Sequence, residues 1–326
     1  RGYRDPQVGG VSGPFMMMNR NKRGLALDLK SARGRALLLQ LAKDADVLVE
    51  NFRGGTMDKL GLGYEALKAQ NPGLIYCAIT GYGRTGPYAD KGGFDLIAQG
   101  FAGLMSVTGE PGRPPVKSGS AVSDMNAGIL GALGILAAYI HKLKTGEGQV
   151  VDTSLSDAAL QQTYWHAAVW FATQKSPEPT GSAHILTAPY QAFEASDGWI
   201  NIGGANQANW ERICDVLGHP HWKTDPRFAT NRDRMAHLDE LVRLMNAVVR
   251  TRTRADWQAA FDAAGVPAGP VHTIGEALSH PQTLARGMVV DLNHPQAGPT
   301  RAVGCPIHFS ASPDRTSMPA PLLGQH

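Results

Sequence analysis

The feature of this sequence that most restricts its fold is an alternation of short apolar runs with helical segments in the first half of the chain. The apolar runs have the length and composition of buried strands and lie at Leu25–Leu29, Val47–Val49, Leu74–Thr80 and Gln149–Thr153. Helical patterns separate them, one with Ser31 as its predicted N-cap. Strands spaced by helices pair in parallel through right-handed crossovers. The sequence therefore predicts an α/β fold with a Rossmann-like open parallel sheet.

The second half of the chain predicts a smaller α+β domain. At about 150 residues per domain, 326 residues correspond to roughly two domains. A Pro/Ser/Gly-rich stretch at 174–182 indicates a linker. We predict a large domain at 1–180, a linker at 181–189, a small α+β domain at 190–290 and a segment at 291–326 that returns to the large domain. The chain starts in a Gly/Pro loop and stops without a closing element, so we expect both natural ends to lie outside it.

Composition excludes several classes of protein. The hydrophobic fraction of 43% is too high for a disordered chain. The formal net charge is 31 minus 28, or +3, without a block of like charges, so no nucleic-acid partner is expected. Cysteines 77, 214 and 305 are far apart and indicate reduced thiols in a cytoplasmic protein. The longest apolar run, Ala127–Ile140, is interrupted by glycine and shorter than a membrane span, so no membrane partner is expected.

Two familiar cofactor patterns fail on their context. The sequence GYGRTG at 81–86 follows a predicted strand, as a dinucleotide-binding fingerprint does. The helix that should follow is interrupted by Pro87 and several glycines, and no acidic residue ends the next strand. We interpret 81–86 as an irregular active-site loop. The eleven histidines lack the HxxxH and HExxH spacings, so neither a metal nor a permanently bound cofactor is predicted.

Asp157 is the strongest candidate for a catalytic residue. It lies in the first turn of a predicted helix, directly after the strand Gln149–Thr153 and so at the carboxyl edge of the sheet. Ligands of open α/β sheets bind at that edge, and the positive end of the helix favours an ionised carboxylate. An aspartate in a first turn is also ordinary helix capping, and the same alternative applies to Asp95, before a helix that starts near Leu96.

Two further groups of residues are ambiguous on sequence alone. Basic residues near the ends of the first strands either bind phosphate groups or are simply solvated: Lys22, Arg23, Lys30, Arg53 and Lys59. The segment Gly203–Gln207 lies between a predicted strand and a predicted helix. It is either a flexible flap or an ordinary strand-to-helix turn.

Taken in order, these segments resemble the family III CoA-transferases, also called the CaiB/BaiF family, from about Phe15 to His326. The matching motifs are NRNKR at 19–23, VENFRGG at 49–55, GYGRTGPY at 81–88, GGFD at 92–95, TGEGQ at 145–149, Asp157 and PLLGQH at 321–326. The resemblance implies a large Rossmann-type domain, a small domain and a homodimer of two chains interlocked as linked rings. It also implies acyl-CoA and a carboxylic acid as substrates.

The resemblance assigns roles to individual residues. Asp157 would be the nucleophile, forming an aspartyl anhydride with the acyl group and then an aspartyl-CoA thioester. Gly203 and Gly204 would belong to a mobile loop that keeps water from the anhydride. The predicted CoA contacts are Leu27, Lys30, Asn51, Phe52, Thr56, Lys59, Lys91 and Asp95.

Some loops resemble the succinate–hydroxymethylglutarate branch of this family. We therefore expect a dicarboxylic donor or acceptor such as succinyl-CoA, with Arg84, His184 and Tyr190 as substrate contacts.

The sequence also departs from the family pattern. Gly54 and Gly55 stand where proline is usual, which should loosen that turn. The family's opening strand and helix, with further CoA contacts and a glutamine beside the nucleophile, are not found, so we expect an incomplete pocket. The related α-methylacyl-CoA racemases carry a proton-transferring His at the position of Phe94, so racemase activity is an alternative, and a catalytically silent CoA-binding homologue is another.

Overall fold

The computed structural model of the chain describes residues 6–312 and 318–326. Its contacts divide the chain into two compact units. The central unit is Asp28–Pro270, and the terminal unit is Arg1–Leu27 with Val271–His326. The predicted boundaries at 180, 190 and 290 are not boundaries of these units, and that division remains a prediction.

The described part of the chain contains ten strands and fourteen α-helices. The strands are β1 (Gln7–Val8), β2 (Val11–Ser12), β3 (Val47–Glu50), β4 (Ile75–Thr80), β5 (Val150–Ser154), β6 (Tyr190–Ala195), β7 (Gly198–Gly203), β8 (Ala268–Pro270), β9 (Val289–His294) and β10 (Gly298–Val303). The helices are α1 (Gly13–Met18), α2 (Ala32–Lys43), α3 (Thr56–Lys59), α4 (Tyr64–Lys68), α5 (Asp95–Phe101), α6 (Val122–Thr145), α7 (Leu155–Gln161), α8 (Tyr164–Thr173), α9 (Gln207–Val216), α10 (Asn231–Ala236), α11 (Leu238–Val249), α12 (Arg254–Ala263), α13 (Ile274–Ser279) and α14 (Pro281–Ala285).

The central unit contains the predicted parallel sheet, in the order β3-β4-β5. Val47 is in register with Ile75, and Thr80 is in register with Ser154. Strand β4 is the middle strand and is almost entirely buried, as its continuous apolar sequence requires. Three of the four predicted strands are thus confirmed, together with the parallel pairing.

Helix α6 packs on this sheet through its small residues. A β-carbon at Gly134 would lie 2.6 Å from a methyl group of Val151, and one at Gly131 would lie 3.2 Å from Ile79. Glycine at these two positions therefore lets the helix approach β4 and β5 closely.

The length of α6 corrects a prediction. The helix has 24 residues, and its most apolar 18-residue window has a mean hydropathy of 1.3, so it is long and apolar enough to cross a membrane by length and composition. The apolar run Ala127–Ile140 is only its middle, because the helix begins at Val122 and ends at Thr145. Only 22% of its most apolar window is buried.

A second sheet in the central unit has the antiparallel order β6-β7-β8. Together with α9, α11 and α12 it encloses a core that includes Phe193, Trp210, Met245 and Trp257, all buried. This region therefore contains both strands and helices, as the α+β prediction requires.

Arg234, in α10, is an almost completely buried cation in this core. Its guanidinium donates to the carbonyl oxygens of Ala188 at 2.6 Å and Phe228 at 2.9 Å, and to the Gln207 side chain at 3.2 Å. Burial lowers its pKa, but a guanidinium whose hydrogen bonds are made remains charged. The side chain therefore joins the start of β6, the start of α9 and the turn before α10.

The strand predicted at Leu25–Leu29 is wrong. Residues 22–28 have no regular secondary structure. The backbone of Gly24 is hydrogen-bonded in both directions to His326, and Asp28 forms a turn that accepts the N–H of Ser31 at 3.1 Å. The apolar run therefore leads into the N-cap of α2 and does not enter the sheet.

Replacing Arg234 by Leu should destabilise the central unit strongly. The substitution leaves buried carbonyl oxygens without donors, at about 1–3 kcal/mol for each unsatisfied group. We expect a loss of about 3 kcal/mol or more in the free energy of unfolding, measured by urea denaturation. Arg232→Leu, on the exposed side of the same helix, is the matched control and should change it by about 0.5 kcal/mol or less. Equal losses in the two variants would contradict this role.

Candidate active site

Asp157 lies at the carboxyl edge of the parallel sheet, as predicted. It is the third residue of α7, whose N-cap is Ser154, the last residue of β5. Because Ser154 is in register with Thr80 at the end of β4, the segments that follow both strands meet at this edge. The Asp157 side chain is exposed to solvent there.

The carboxylate of Asp157 is held on one side only. Its Oδ2 accepts a hydrogen bond from the Ser154 hydroxyl at 2.7 Å, and the same hydroxyl accepts the Asp157 N–H at 3.0 Å. No hydrogen bond to Oδ1 is found among the described residues. An exposed carboxylate oxygen without a partner is suited to nucleophilic attack.

The loop after β4 covers the start of α7. Gly81 accepts the Ser156 N–H at 3.1 Å, and the Gly83 N–H donates to Thr80 Oγ1 at 2.8 Å. Gly83 has φ +90°, and a β-carbon there would lie 3.9 Å from Asp157 Oδ2. No helix begins between Gly81 and Asp95, which confirms that GYGRTG is an irregular loop. A left-handed backbone beside the carboxylate explains the glycine at 83.

The same loop folds back on itself. A β-carbon at Gly81 would lie 2.7 Å from the Gly93 nitrogen, so the two ends of the loop cross at a point where only glycine fits. The rings of Tyr82 and Tyr88 are 5.2 Å apart in an edge-on arrangement. The ammonium of Lys91, a predicted CoA contact, lies 3.4 Å from the Tyr88 ring centre.

Arg84 is held beside the strand ends. Its main-chain N–H donates to an Asp152 carboxylate oxygen at 3.2 Å, and its guanidinium lies 5.6 Å from the Tyr76 ring centre. Burial raises the pKa of Tyr76 and Glu50 raises it further, while Arg84 opposes them. Tyr76 therefore stays a neutral ring under the guanidinium.

The turn that carries Asn51 and Phe52 lies against this loop. Gly54 approaches Ala89 so closely that a β-carbon would stand 2.4 Å from the Ala89 carbonyl oxygen, and Gly55 has φ +73°. Gly54 therefore does not loosen this turn as expected, because it lets the turn pack closely against the backbone of Ala89. Predicted CoA contacts that precede and follow these glycines lie on this exposed turn and in α3: Asn51, Phe52, Thr56 and Lys59.

The other predicted CoA contacts are placed differently. Lys30 is exposed in the turn before α2, and Leu27 belongs to the terminal unit. Asp95 does not cap its own helix, whose N-cap is Phe94. Its two oxygens accept the Ser123 N–H at the start of α6 (2.9 Å) and the Gln99 amide (2.7 Å). The carboxylate of Asp95 is thus engaged within the protein, and its predicted contact with CoA stays a prediction.

Two of the predicted substrate residues lie together. His184 and Tyr190 have ring centres 5.4 Å apart, and Trp165 of α8 lies 6.0 Å from His184. The main-chain N–H of His184 donates to the main-chain carbonyl oxygen of Tyr190 at 3.0 Å. Burial lowers the pKa of the neighbouring His166, and His184 lowers it further. The contacts of Arg84 described above lie with β4 and β5, not with this aromatic cluster.

Gly203 ends β7, and Gly204 lies in the turn that leads from this strand to α9. Their N–H groups donate to Pro267 at 2.9 Å and Pro189 at 2.7 Å. A β-carbon at Gly204 would lie 2.8 Å from the Pro189 carbonyl oxygen. The turn ends at Asn206, the N-cap of α9. Their predicted role as a cover over Asp157 stays a prediction.

The contact of Ser154 with Asp157 was not predicted from the sequence. The signal was present as Ser-x-x-Asp at 154–157, the pattern in which an N-cap hydroxyl bonds the third helical residue. Among the described residues, no group of three or more His, Cys, Asp or Glu side chains is placed to hold a metal ion.

This chain is similar to proteins of one family along its whole length. The model of CoA-transferase family III matches residues 1–326. The succinate–glutarate CoA-transferase of Agrobacterium fabrum is 39% identical over 94% of this chain and 77% of its own length. The acetyl-CoA:oxalate CoA-transferase of Acetobacter aceti is 38% identical over 98% and 82%. A CaiB/BaiF family protein from Brucella suis has a solved structure that matches 99% of this chain and 86% of its own with a TM-score of 0.86 and 37% identity.

Proposed function

This chain belongs to CoA-transferase family III, and on that premise we propose that it transfers CoA from a dicarboxylic acyl-CoA, such as succinyl-CoA, to a carboxylic acid through Asp157. The observation that carries the proposal is the exposed Asp157 carboxylate, with Oδ2 held by Ser154 and Oδ1 without a partner among the described residues.

The first half of the reaction cleaves the donor thioester. Asp157 Oδ1 attacks the acyl carbon, the carbon–sulfur bond breaks, and CoA leaves as a thiolate with the electron pair. The product is a mixed anhydride of Asp157 and the acyl group. The thiolate then attacks Cγ of Asp157, the Cγ–Oδ1 bond breaks, and the donor acid leaves as a carboxylate. Asp157 now carries CoA as a thioester.

The second half repeats these steps in reverse order with the acceptor. A carboxylate oxygen of the acceptor attacks Cγ and CoA leaves again as a thiolate, which gives a second anhydride. The thiolate attacks the acceptor's acyl carbon, and the new acyl-CoA leaves while the Asp157 carboxylate is restored. Each anhydride must be kept from water, and we assign that task to the turn that begins at Gly203 and Gly204.

The CoA moiety would bind along the loops that meet at the sheet edge. The turn of Asn51 and Phe52 and the loop of Lys91 supply exposed apolar and cationic groups on adjoining segments. Lys59 at the end of α3 adds a second ammonium for phosphate oxygens. We propose no permanently bound cofactor, since CoA itself is the substrate.

The acyl group would be recognised by Arg84, His184 and Tyr190. A second carboxylate on the acyl chain needs a cation or polar clamp. Arg84 is a half-buried cation whose main chain is hydrogen-bonded to Asp152 of β5, the strand that precedes α7. The names of the two relatives contain succinate, glutarate and oxalate, all dicarboxylic acids. The same names include acetyl-CoA as a donor, so the donor needs a test of its own.

The racemase alternative lacks a proton carrier. Phe94, at the position of the racemase histidine, is 80% exposed and has no titratable group. A silent CoA-binding homologue would not need an unpartnered carboxylate oxygen at the sheet edge.

We also propose that the protein is a homodimer, interlocked as in the family. The support is a stripe of large apolar side chains along α6, each 55–70% exposed: Met125, Ile129, Leu133, Leu136, Ile140 and Leu143. These residues recur every three or four positions and so share one face of the helix. Monomeric proteins rarely expose contiguous apolar surface of this kind.

Trapping with hydroxylamine tests the covalent mechanism. After incubation with succinyl-CoA, we expect a hydroxamate on Asp157, because hydroxylamine attacks the activated Cγ. Mass spectrometry of the peptide that contains Asp157 measures it.

Asp157→Asn should abolish both the adduct and transfer. Asp256→Asn is the matched control, since Asp256 is also the third residue of a capped helix, and it should leave transfer intact. An unlabelled Asp157 with exchange of the α-proton of an acyl-CoA in deuterated water would instead establish racemase chemistry. An unlabelled Asp157 without exchange would indicate a silent homologue.

The donor should be dicarboxylic. A charge-assisted hydrogen bond contributes about 1.5–3 kcal/mol, which corresponds to roughly a 10- to 150-fold preference in kcat/KM for succinyl-CoA over acetyl-CoA. Arg84→Met should remove most of this preference, because it deletes the guanidinium. The substitution leaves the main-chain bond to Asp152 in place. Equal kcat/KM values for the two donors in the wild type would refute the dicarboxylate assignment.

The wild-type protein should sediment as a dimer. A charge placed in the α6 stripe, as in Leu133→Glu, should shift it to the monomer because burying an unpaired carboxylate is costly. Analytical ultracentrifugation measures both. A substitution at the exposed Lys175 serves as the control and should leave the dimer unchanged. A wild-type protein that sediments as a monomer would rule the proposal out.

A further inference from the structure

Three helices of the central unit begin with the same local pattern. Ser154–Asp157, Thr230–Asp233 and Thr253–Asp256 each place a hydroxyl residue at the N-cap and an aspartate at the third helical position. In each pair the hydroxyl accepts the aspartate N–H and donates to the aspartate Oδ2, at 2.7, 2.6 and 2.7 Å respectively. The shared pattern provides an internal comparison for the site.

The pair at Asp157 differs from the other two in one bond. In the two threonine pairs the same Oδ2 also accepts the N-cap backbone N–H, at 3.1 Å for Thr230 and 3.4 Å for Thr253, which closes a capping box. No such bond is found for Ser154 among the described residues. Ser154 ends β5 in register with Thr80, so its backbone belongs to the sheet. The Asp157 carboxylate is therefore held by the hydroxyl alone.

The protons at Ser154 can be assigned from the distances. The Ser154 hydroxyl has one proton. An ionised Asp157 carboxylate has none to donate, so its Oδ2, at 2.7 Å, must accept the proton of Ser154. The Ser156 hydroxyl lies 2.9 Å from Ser154 Oγ, so Ser156 must donate in that contact. Both serines are buried, which limits their contact with solvent. The hydroxyl chain therefore runs in one direction, from Ser156 through Ser154 to Asp157.

We propose, resting on the proposed function, that Ser154 is a further catalytic residue whose hydroxyl stabilises the negative charge that develops on Asp157 Oδ2 whenever Cγ is attacked. In the anhydride and in the CoA thioester, Oδ2 is the carbonyl oxygen of the aspartyl group. When the thiolate or the acceptor carboxylate attacks Cγ, the carbonyl π electrons move onto Oδ2. When Cγ–Oδ1 or Cγ–S breaks, they return. Ser154 keeps its proton throughout.

The arrangement suits this task because the donor is already in place. A hydroxyl fixed by two incoming hydrogen bonds needs no reorganisation when the charge appears, and such preorganised donors are effective in stabilising oxyanions. The same bond leaves Oδ1 as the attacking oxygen in the first step. One buried hydroxyl thus acts in both halves of the reaction.

The test removes the hydroxyl and then restores it. Ser154→Ala should lower kcat by roughly 100- to 1,000-fold, the usual effect of deleting one oxyanion donor, with a much smaller change in KM. Ser154→Gly should behave alike and keeps the fold, since glycine is nearly as good an N-cap as serine. Ser154→Thr, which retains a hydroxyl, should recover most of kcat. Thr253→Ala removes an equivalent cap away from the site and should leave kcat unchanged.

The outcomes separate this inference from the proposed function. Wild-type kcat in Ser154→Ala or Ser154→Gly, with Asp157 still labelled by hydroxylamine, would overturn the role of Ser154 alone. Equal losses in the folded Ala and Thr variants would overturn it as well, because the hydroxyl would then make no difference. Failure to label Asp157 in the wild type would instead remove the proposed function.

Discussion

The parallel register of β4 and β5 is the constraint on which the rest of the site depends. It sets Thr80 beside Ser154, so the glycine loop after one strand and the first turn of α7 after the other begin at the same level of the sheet. The contacts between Gly81, Gly83 and α7 follow from this pairing. A shift of the register by one residue would send the Asp157 turn to a different part of the loop and reverse the faces of the strand side chains.

Close backbone approaches fix the loops around that edge. Gly81 crosses Gly93, and Gly54 lies against Ala89, in each case at a distance that excludes a β-carbon. These contacts join the two ends of the loop after β4, and join that loop to the turn after β3, without using a side chain. The side chains of the same loops, among them Lys91 and Phe52, therefore remain accessible to a ligand. Closely packed backbone with exposed side chains is a common basis for a binding site.

The sequence alone predicted the elements whose periodicity is strong. Strand β4 and the first turn at Asp157 were found because apolar runs and cap residues are local signals. The errors have tertiary causes. Leu25–Leu29 has strand composition, but Gly24 is hydrogen-bonded to His326 at the other end of the chain. Asp95 resembles a cap of its own helix, yet its carboxylate serves the start of α6. Neither contact leaves a trace in the nearby sequence.

Ser154 holds Oδ2 of Asp157 and leaves Oδ1 to attack, and this difference determines which oxygen atom leaves the protein. In the proposed cycle the departing donor acid takes one carboxylate oxygen of the protein with it, and the acceptor leaves one of its own oxygens behind. The protein thus exports and replaces an atom of its own side chain in every turnover. After a single cycle with an acceptor whose carboxylate oxygens carry a heavy isotope, the mass of Asp157 would increase and so record that turnover in the polypeptide itself.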